Sequence, residues 1–434
     1  MSALNLVSLA GLAGFAALAW LAGGCRRPLP WRTVAGTSSL MLVLSAIVFW
    51  LPPTRVALLV VNDAVLALLR ASGAGAEFLF GPLAAAPGTT TASGEPSIGF
   101  VLATQVLPAV VFFAALMALL YHLRLVQPVV RTLGRLFHRA AGLSGAEALA
   151  GSANVFVGVE SAATVRPYLA RMTRSELLTV LTCGMSTVAS TTLAIYVLFL
   201  HDSFPRIAGH LISASVLSIP AAALASKLML PETGTPETRG EVPPIGEQER
   251  HGNPMSALTA GAWDGLRLAA GIAALLIAVL GVVGVIDLVL SRTTAPLAAS
   301  LGGPLDLGRV LGWLFTPFAW LLGIEPGDVG AAARLLGVRM VLTEVVGFRE
   351  LAALAAAGSV SPRTVLVMSY ALCGFSHVAS VGVFVGGFAA LAPSRRDDLA
   401  ALGPRALVAS TLATLMTGAL AGLFYYGQSG VLGG

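Results

Sequence analysis

The sequence predicts an all-α polytopic membrane protein, with eight transmembrane helices plus two re-entrant helical hairpins arranged as an inverted repeat. Three observations carry that reading. Of 434 residues, 56% are hydrophobic and only 11% charged, whereas soluble domains carry about 25% charged residues. Apolar runs of about 20 residues, enough helix to cross about 30 Å of hydrocarbon, recur along the chain. Two other apolar stretches are interrupted by polar residues near their middles, and the span after each carries nearly the same octapeptide.

Taken in order, full spans are read at 4–23, 33–52, 99–123, 177–200, 207–230, 266–288, 364–388 and 405–427. Arg26, Arg27 and Arg32 follow the first span; Arg124, Arg131, Arg135 and Arg139 follow the third; Arg395 and Arg396 precede the eighth. The excess of Arg and Lys marks cytoplasmic loops, so the chain is expected in the inner membrane with both termini on the outer side. These clusters account for the net charge of +5 as topology, and no nucleic-acid partner is expected. Residues 22–25, Ala-Gly-Gly-Cys, resemble a lipoprotein cleavage site, but no basic residue precedes the first apolar run, which is kept as a spanning helix.

Val56 to Leu69, within the outer connection 54–98, suits a helix lying at the membrane interface before a Gly, Pro and Thr loop. The polar stretch 231–262 reads as a flexible cytoplasmic linker. The organisation is therefore 1–143, N-terminal scaffold spans and interfacial helix; 144–230, a first repeat of hairpin, broken span and span; 231–262, the linker; 263–327, a scaffold span and interfacial helix; and 328–434, the second repeat.

The interrupted stretches are 144–172 and 328–357, broken by Gly158-Val159-Glu160 and by Thr343-Glu344. Their flanking pieces are too short to span and suit half-helices of re-entrant hairpins whose tips meet at mid-depth. Ser144 with Glu147, and Thr173 with Glu176, have capping-box spacing and mark helix starts. Residues 183–190 read Cys-Gly-Met-Ser-Thr-Val-Ala-Ser and residues 373–380 read Cys-Gly-Phe-Ser-His-Val-Ala-Ser. By span count the two units have opposite orientations. Inverted repeats with discontinuous helices are typical of secondary transporters, whose solute and ion sites lie near the midplane.

A carboxylate near the bilayer centre costs about 2.5–3.5 kcal/mol on insertion scales, so Glu160 and Glu344 need partners or a wet cavity. Glu344 can accept from vicinal sugar hydroxyls and Glu160 from a base amide; the alternative is a pair of structural carboxylates bonded to helix ends or to Arg339. His377, inside the second octapeptide, is either a neutral hydrogen-bonding ring or a group that makes transport depend on pH between about 5 and 8. Ser186, Thr187, Ser376 and Ser380 are candidate ligands or back-bonding hydroxyls. Cys183 and Cys373 lie in apolar segments and offer no disulfide or zinc spacing. No nucleophile-elbow or His-Glu-x-x-His motif is present, so an enzyme is not expected, nor a cofactor.

Several segments resemble the concentrative nucleoside transporters over about residues 97–427: Gly142-Leu-Ser-Gly-Ala-Glu147, Ala153-Asn-Val-Phe-Val-Gly158, Arg166-Pro-Tyr-Leu-Ala-Arg-Met-Thr-Arg-Ser-Glu176, Leu311-Gly-Trp-Leu-Phe-Thr-Pro317 and Tyr370-Ala-Leu-Cys-Gly-Phe375. The resemblance implies a homotrimer in the lipid bilayer, each protomer moving a transport domain of hairpins and broken helices against a fixed scaffold. It implies a cation-coupled symporter, sodium or proton, for a nucleoside-like small molecule. A sodium site would use Asn154, the Val157 carbonyl, the Thr187 hydroxyl and the Val188 carbonyl. Substrate contacts would come from Gly158, Val159, Glu160, Val188, Glu344, Phe375, His377 and Ser380. Three departures stand out: the family's Gly-Gln-Thr-Glu tip is Gly158-Val159-Glu160 here, its Asn-Glu pair is Thr343-Glu344, and its Phe-x-Asn is Phe375-Ser376-His377. A transporter of a different small polar metabolite, or a non-transporting membrane sensor, are the alternative readings.

Overall fold

The computed structural model describes residues 2–25, 29–85, 89–91, 94–243, 252–297 and 303–427. Arg26 and Arg27, two of the residues that set the expected topology, lie outside the described residues. Among the described residues every regular element is a helix; the one β-feature is an isolated bridge between Thr90 and Pro96. The N-terminal part comprises α1 (Ala3–Ala22), α2 (Trp31–Trp50), α3 (Pro52–Phe80), α4 (Leu102–Gln105), α5 (Leu107–His122) and α6 (Gln127–Ala141). The first repeat holds α7 (Gly145–Asn154), a 3-10 segment Val159–Val165, α8 (Arg166–Leu169), α9 (Arg174–Ser186), α10 (Ser190–Leu200) and α11 (Ile207–Met229). Then come α12 (Pro254–Thr294) and α13 (Leu307–Leu321), and the second repeat: α14 (Val329–Val341), α15 (Glu344–Ala356), α16 (Pro362–Ala371), α17 (Val378–Leu391) and α18 (Arg396–Leu423).

Seven described helices are long and apolar enough to cross a membrane. Six of them, α3 excepted, match continuous predicted spans. The other two predicted spans are broken: 177–200 is α9 and α10 on either side of residues 187–189, and 364–388 is α16 and α17 on either side of residues 372–377.

Three expectations are corrected. The helix of the outer connection is longer than Val56 to Leu69: α3 runs 29 residues before the chain turns out of it. Pro52 opens it with φ already helical, the glycines at 73 and 75 cost about 1 kcal/mol each without breaking it, and Gly81 at φ +54° ends it. The linker 231–262 is not featureless either. Residues 254–262 already belong to α12, started by the Asn253 side chain accepting from Ser256 N–H at 2.8 Å with Pro254 behind it. Residues 231–243 pack back onto the first hairpin, where Thr238 is buried and accepts from Gly145 N–H and Ala146 N–H at 3.0 Å each; residues 244–251 lie outside the described residues. Finally, the second arm of the first hairpin is mainly 3-10, with only four α-helical residues before Ala170.

Both capping boxes form as read: Ser144 with Glu147, and Thr173 with Glu176. Arg131, Arg135 and Arg139 lie on α6, whose other face buries Val130, Phe137 and Ala141. The α5–α12 pair packs closely because Gly261 and Gly265 face Ala114; a Cβ at Gly261 would lie 2.7 Å from the Ala114 carbonyl oxygen.

The inversion is visible in which ends sit together. Arg395, just before α18, donates to the carbonyls of Ala170 and Met172 at the open end of the first hairpin. At the other face, Arg363 at the start of α16 donates to Asn5 Oδ1 at 3.0 Å, Gly323 O at 2.7 Å and Gly422 O at 2.9 Å. Asp328, opening the second hairpin, accepts there from Ser361 N–H at 2.8 Å. The first hairpin thus opens to one face, and the second opens to the opposite face, which also holds the N-terminus and the end of α18.

Candidate functional site

The two octapeptides break their spans at the same place in the fold and lie against each other. Ser376 Oγ donates to the Met185 carbonyl at 3.0 Å. Gly374, at φ +158°, brings its Cα so close that a Cβ would lie 2.9 Å from Ser186 O and 2.7 Å from Thr414 Cγ2. A break in a buried helix frees carbonyls that must find donors, and here the hydroxyls of the repeat supply them. Thr187 Oγ1 donates to Cys183 O at 2.9 Å, and Ser215 Oγ donates to Val188 O at 3.3 Å.

At the first tip, α7 ends on fully buried Asn154, whose Nδ2 donates to Ala150 O at 3.1 Å and whose Oδ1 accepts from Ser161 Oγ at 2.9 Å. The tip is tied to the α10 start by Ser190 Oγ donating to Phe156 O at 2.6 Å. Of the oxygens named for a cation, Asn154 Oδ1 accepts from Ser161 Oγ and Val188 O from Ser215 Oγ, while the Thr187 hydroxyl donates to Cys183 O; all are neutral oxygen donors, the type that suits a hard cation rather than a transition metal. The Glu160 side chain lies outside the described residues.

Val159 rests against α17 at Gly387, where a Cβ would lie 2.3 Å from Val159 Cγ2. A β-branched neighbour has no flexible end with which to yield. Gly387→Ala should therefore displace the first tip and lower uptake at least tenfold; unchanged uptake and melting temperature would mean that the tip does not seat there.

The second tip is built differently. Helix α14 ends at Val341, Thr343 is extended, and Glu344 is the first residue of α15, where the helix N-terminus favours a carboxylate. Glu344 is 2% exposed. Its Oε1 accepts from Tyr196 Oη at 2.8 Å, and the Tyr196 ring stacks on Phe348 with centroids 4.3 Å apart. Its Oε2 lies 3.2 Å from His377 Nε2, but the approach is off the hydrogen-bond direction, so this oxygen and Thr343 Oγ1 are left buried without a directed partner. No ion pair links Glu344 to Arg339, whose Nη1 instead donates to Ala371 O at 2.6 Å and Thr414 Oγ1 at 2.9 Å.

His377 caps α17: its Nδ1 accepts from Ser380 N–H at 3.3 Å, while Ser380 Oγ donates to His377 O at 2.7 Å. The other ring nitrogen, Nε2, is the one that lies 3.2 Å from Glu344 Oε2. Phe375 is partly buried, its ring 6.4 Å from that of His377.

Of the predicted residues, the fold thus gathers Glu344, Phe375, His377 and Ser380 at the start of α17, while Val159 sits beside Gly387, ten residues along the same helix. At a rise of about 1.5 Å per residue, the Glu344–His377 contact and the Val159–Gly387 contact lie about 15 Å apart along α17. Tyr196 was not singled out from the sequence. The available signal was a lone phenol in the aliphatic run of α10, where a buried hydroxyl needs a partner.

With this geometry in hand, the chain matches three family models: "Na+ dependent nucleoside transporter N-terminus" over residues 10–83, "Nucleoside recognition" gate over 103–203, and "Na+ dependent nucleoside transporter C-terminus" over 210–422. It is 31% identical to nucleoside permease NupC of Helicobacter pylori, over 97% of this chain and 98% of that protein. It is 34% identical to the uncharacterized transporter YutK of Bacillus subtilis, over 96% and 99%. Among solved structures, CNTnw in an inward-facing substrate-bound state superposes with a TM-score of 0.86 at 34% identity, covering 97% of this chain and 98% of that one. Two inverted hairpins, two broken spans meeting back to back and a buried carboxylate at the second tip thus stand in a chain that belongs to the family of sodium-dependent, concentrative nucleoside transporters.

Proposed function

We propose that the protein is a secondary symporter that takes up nucleosides across the inner membrane, with sodium as the coupling ion. The observation that carries the substrate reading is Glu344: a buried carboxylate with one oxygen held by Tyr196 and the other lacking a directed donor. Vicinal ribose hydroxyls are two donors for the two lone pairs of that oxygen, with the Thr343 hydroxyl beside it. His377, Phe375, Ser380 and Val188 complete the wall around the sugar, and Gly158 and Val159 of the first tip lie toward the base.

Sodium is carried as substrate by Asn154, Val157, Thr187 and Val188, an oxygen-only set from the first tip and the first break. Residues 144–230 and 328–434 move together as the transport domain. The α5–α12 pair, within 1–143 and 231–327, belongs to the scaffold, and the most apolar stretch of α12, almost wholly unburied within the protomer, is the face through which a homotrimer forms. Both termini are on the outer side, as the arginine clusters require.

The test is uptake of labelled uridine and adenosine into proteoliposomes with and without an inward sodium gradient. Accumulation above equilibrium only with sodium supports the reading; gradient-independent equilibration overturns the coupling. A different small polar metabolite is the second reading, favoured by Val159, which lacks the amide and hydroxyl by which the family's tip reads a base. Competition by free bases, ribose and whole nucleosides separates the two.

A further inference from the structure

The two repeats differ at the one place where the first is proposed to hold its cation. In the first repeat, Asn154 closes the first arm of the hairpin and the adjoining break is satisfied by hydroxyls. In the second, the last turn of the corresponding arm, α14, carries Arg339, fully buried. Its guanidinium reaches the adjoining break and donates to the carbonyl of Ala371, the last residue of α16, and to Thr414. A helix C-terminus ends in unpaired carbonyls with partial negative charge, a natural seat for a cation. Helix α15 returns past the same side chain, since a Cβ at Gly347 would lie 3.7 Å from Arg339 Cβ. Two guanidinium donors, Nε and Nη2, have no hydrogen-bond partner although the side chain is buried, and on the same tip Glu344 Oε2, 3.2 Å from His377 Nε2, has no hydrogen bond either.

We infer that Arg339 is a tethered counterpart of the coupling cation: the second repeat carries its positive charge covalently, balancing Glu344 and the broken end of α16, and only the first repeat binds an exchangeable cation. A buried guanidinium without a counter-charge is costly, as is a buried carboxylate without one. On the inverted-repeat geometry each half needs one positive charge at its break, and the second half never releases its own. Arg339 is a positioning residue here, acting on solute through Glu344 and the α16–α17 break.

The charge balance is independent of transport and is tested by melting of the purified protein. Arg339→Gln should lower the melting temperature by several degrees, and Arg339→Lys by much less. Adding Glu344→Gln to Arg339→Gln should recover most of the loss, because the stranded carboxylate is then gone. If Arg339→Gln alone does not yield folded protein, the double variant should. An unchanged melting temperature in Arg339→Gln, or a double variant no better than the single one, overturns the pairing.

The count of exchangeable cations rests on the sodium-coupled reading. It is tested by the membrane potential that halts net uptake of an uncharged nucleoside at a set sodium gradient. One sodium per solute is expected, and two would overturn the tethered-cation count. Uptake indifferent to sodium would remove the coupling reading and leave the melting result to decide Arg339.

Discussion

Replacing Glu344 by glutamine should abolish measurable uptake at subsaturating solute while the protein still folds. The carboxylate is held at the start of α15 by Tyr196 and the helix terminus, so an amide of the same shape keeps the packing. What it loses is charge. A hydrogen bond to an ionised group contributes about 1.5–3 kcal/mol, and losing two such bonds to hydroxyls corresponds to a drop of a hundredfold or more at 1.4 kcal/mol per tenfold. An amide also presents an NH2 group that repels a hydroxyl hydrogen at one of the two positions. Uptake of labelled nucleoside at a tenth of the half-saturating concentration, alongside size-exclusion profiles of both proteins, checks this. Wild-type rates in the variant would end the substrate role of Glu344.

The largest effect on stability is expected from Lys227→Met. Lys227, near the end of α11 and 5% exposed, is ion-paired with Glu147 of the first capping box and lies 3.5 Å from Glu232; it also donates to Ser175 Oγ at 2.9 Å. One ammonium thereby ties together the start of α7, the start of α9 and the segment after α11. Methionine keeps the volume and strands the buried Glu147 carboxylate, and removing one partner from a buried pair costs about 3–5 kcal/mol. A large fall in melting temperature is expected, partly restored by Glu147→Gln in the same chain. Equal melting of Lys227→Met and wild type would show that the network contributes nothing net.

Membrane class, the spans, both capping boxes and the inverted repeat were legible because each is local or periodic. Apolar runs report length against the bilayer, Ser144-x-x-Glu147 reports a helix start, and two copies of one octapeptide report a repeat whatever surrounds them. The glutamate of the second tip was legible for the same reason, since a lone carboxylate in an apolar stretch is conspicuous.

The sequence could not show what depends on parts of the chain far apart along it. Tyr196 and Glu344 are separated by 148 positions, and nothing in either neighbourhood names the other. The return of residues 231–243 onto the first hairpin was hidden by their polar composition, which reads as a linker until Thr238 is seen bonding the start of α7. Val159 seats on Gly387 of α17, and Arg339 faces the broken end of α16 rather than pairing directly with Glu344. The sequence by itself determined which residues must be inside the membrane and which of them carry charge. Only the tertiary structure decided which buried charges and hydroxyls satisfy one another, because in a low-dielectric interior every unpaired group is costly and the pairing is chosen by the packing of helices distant in sequence.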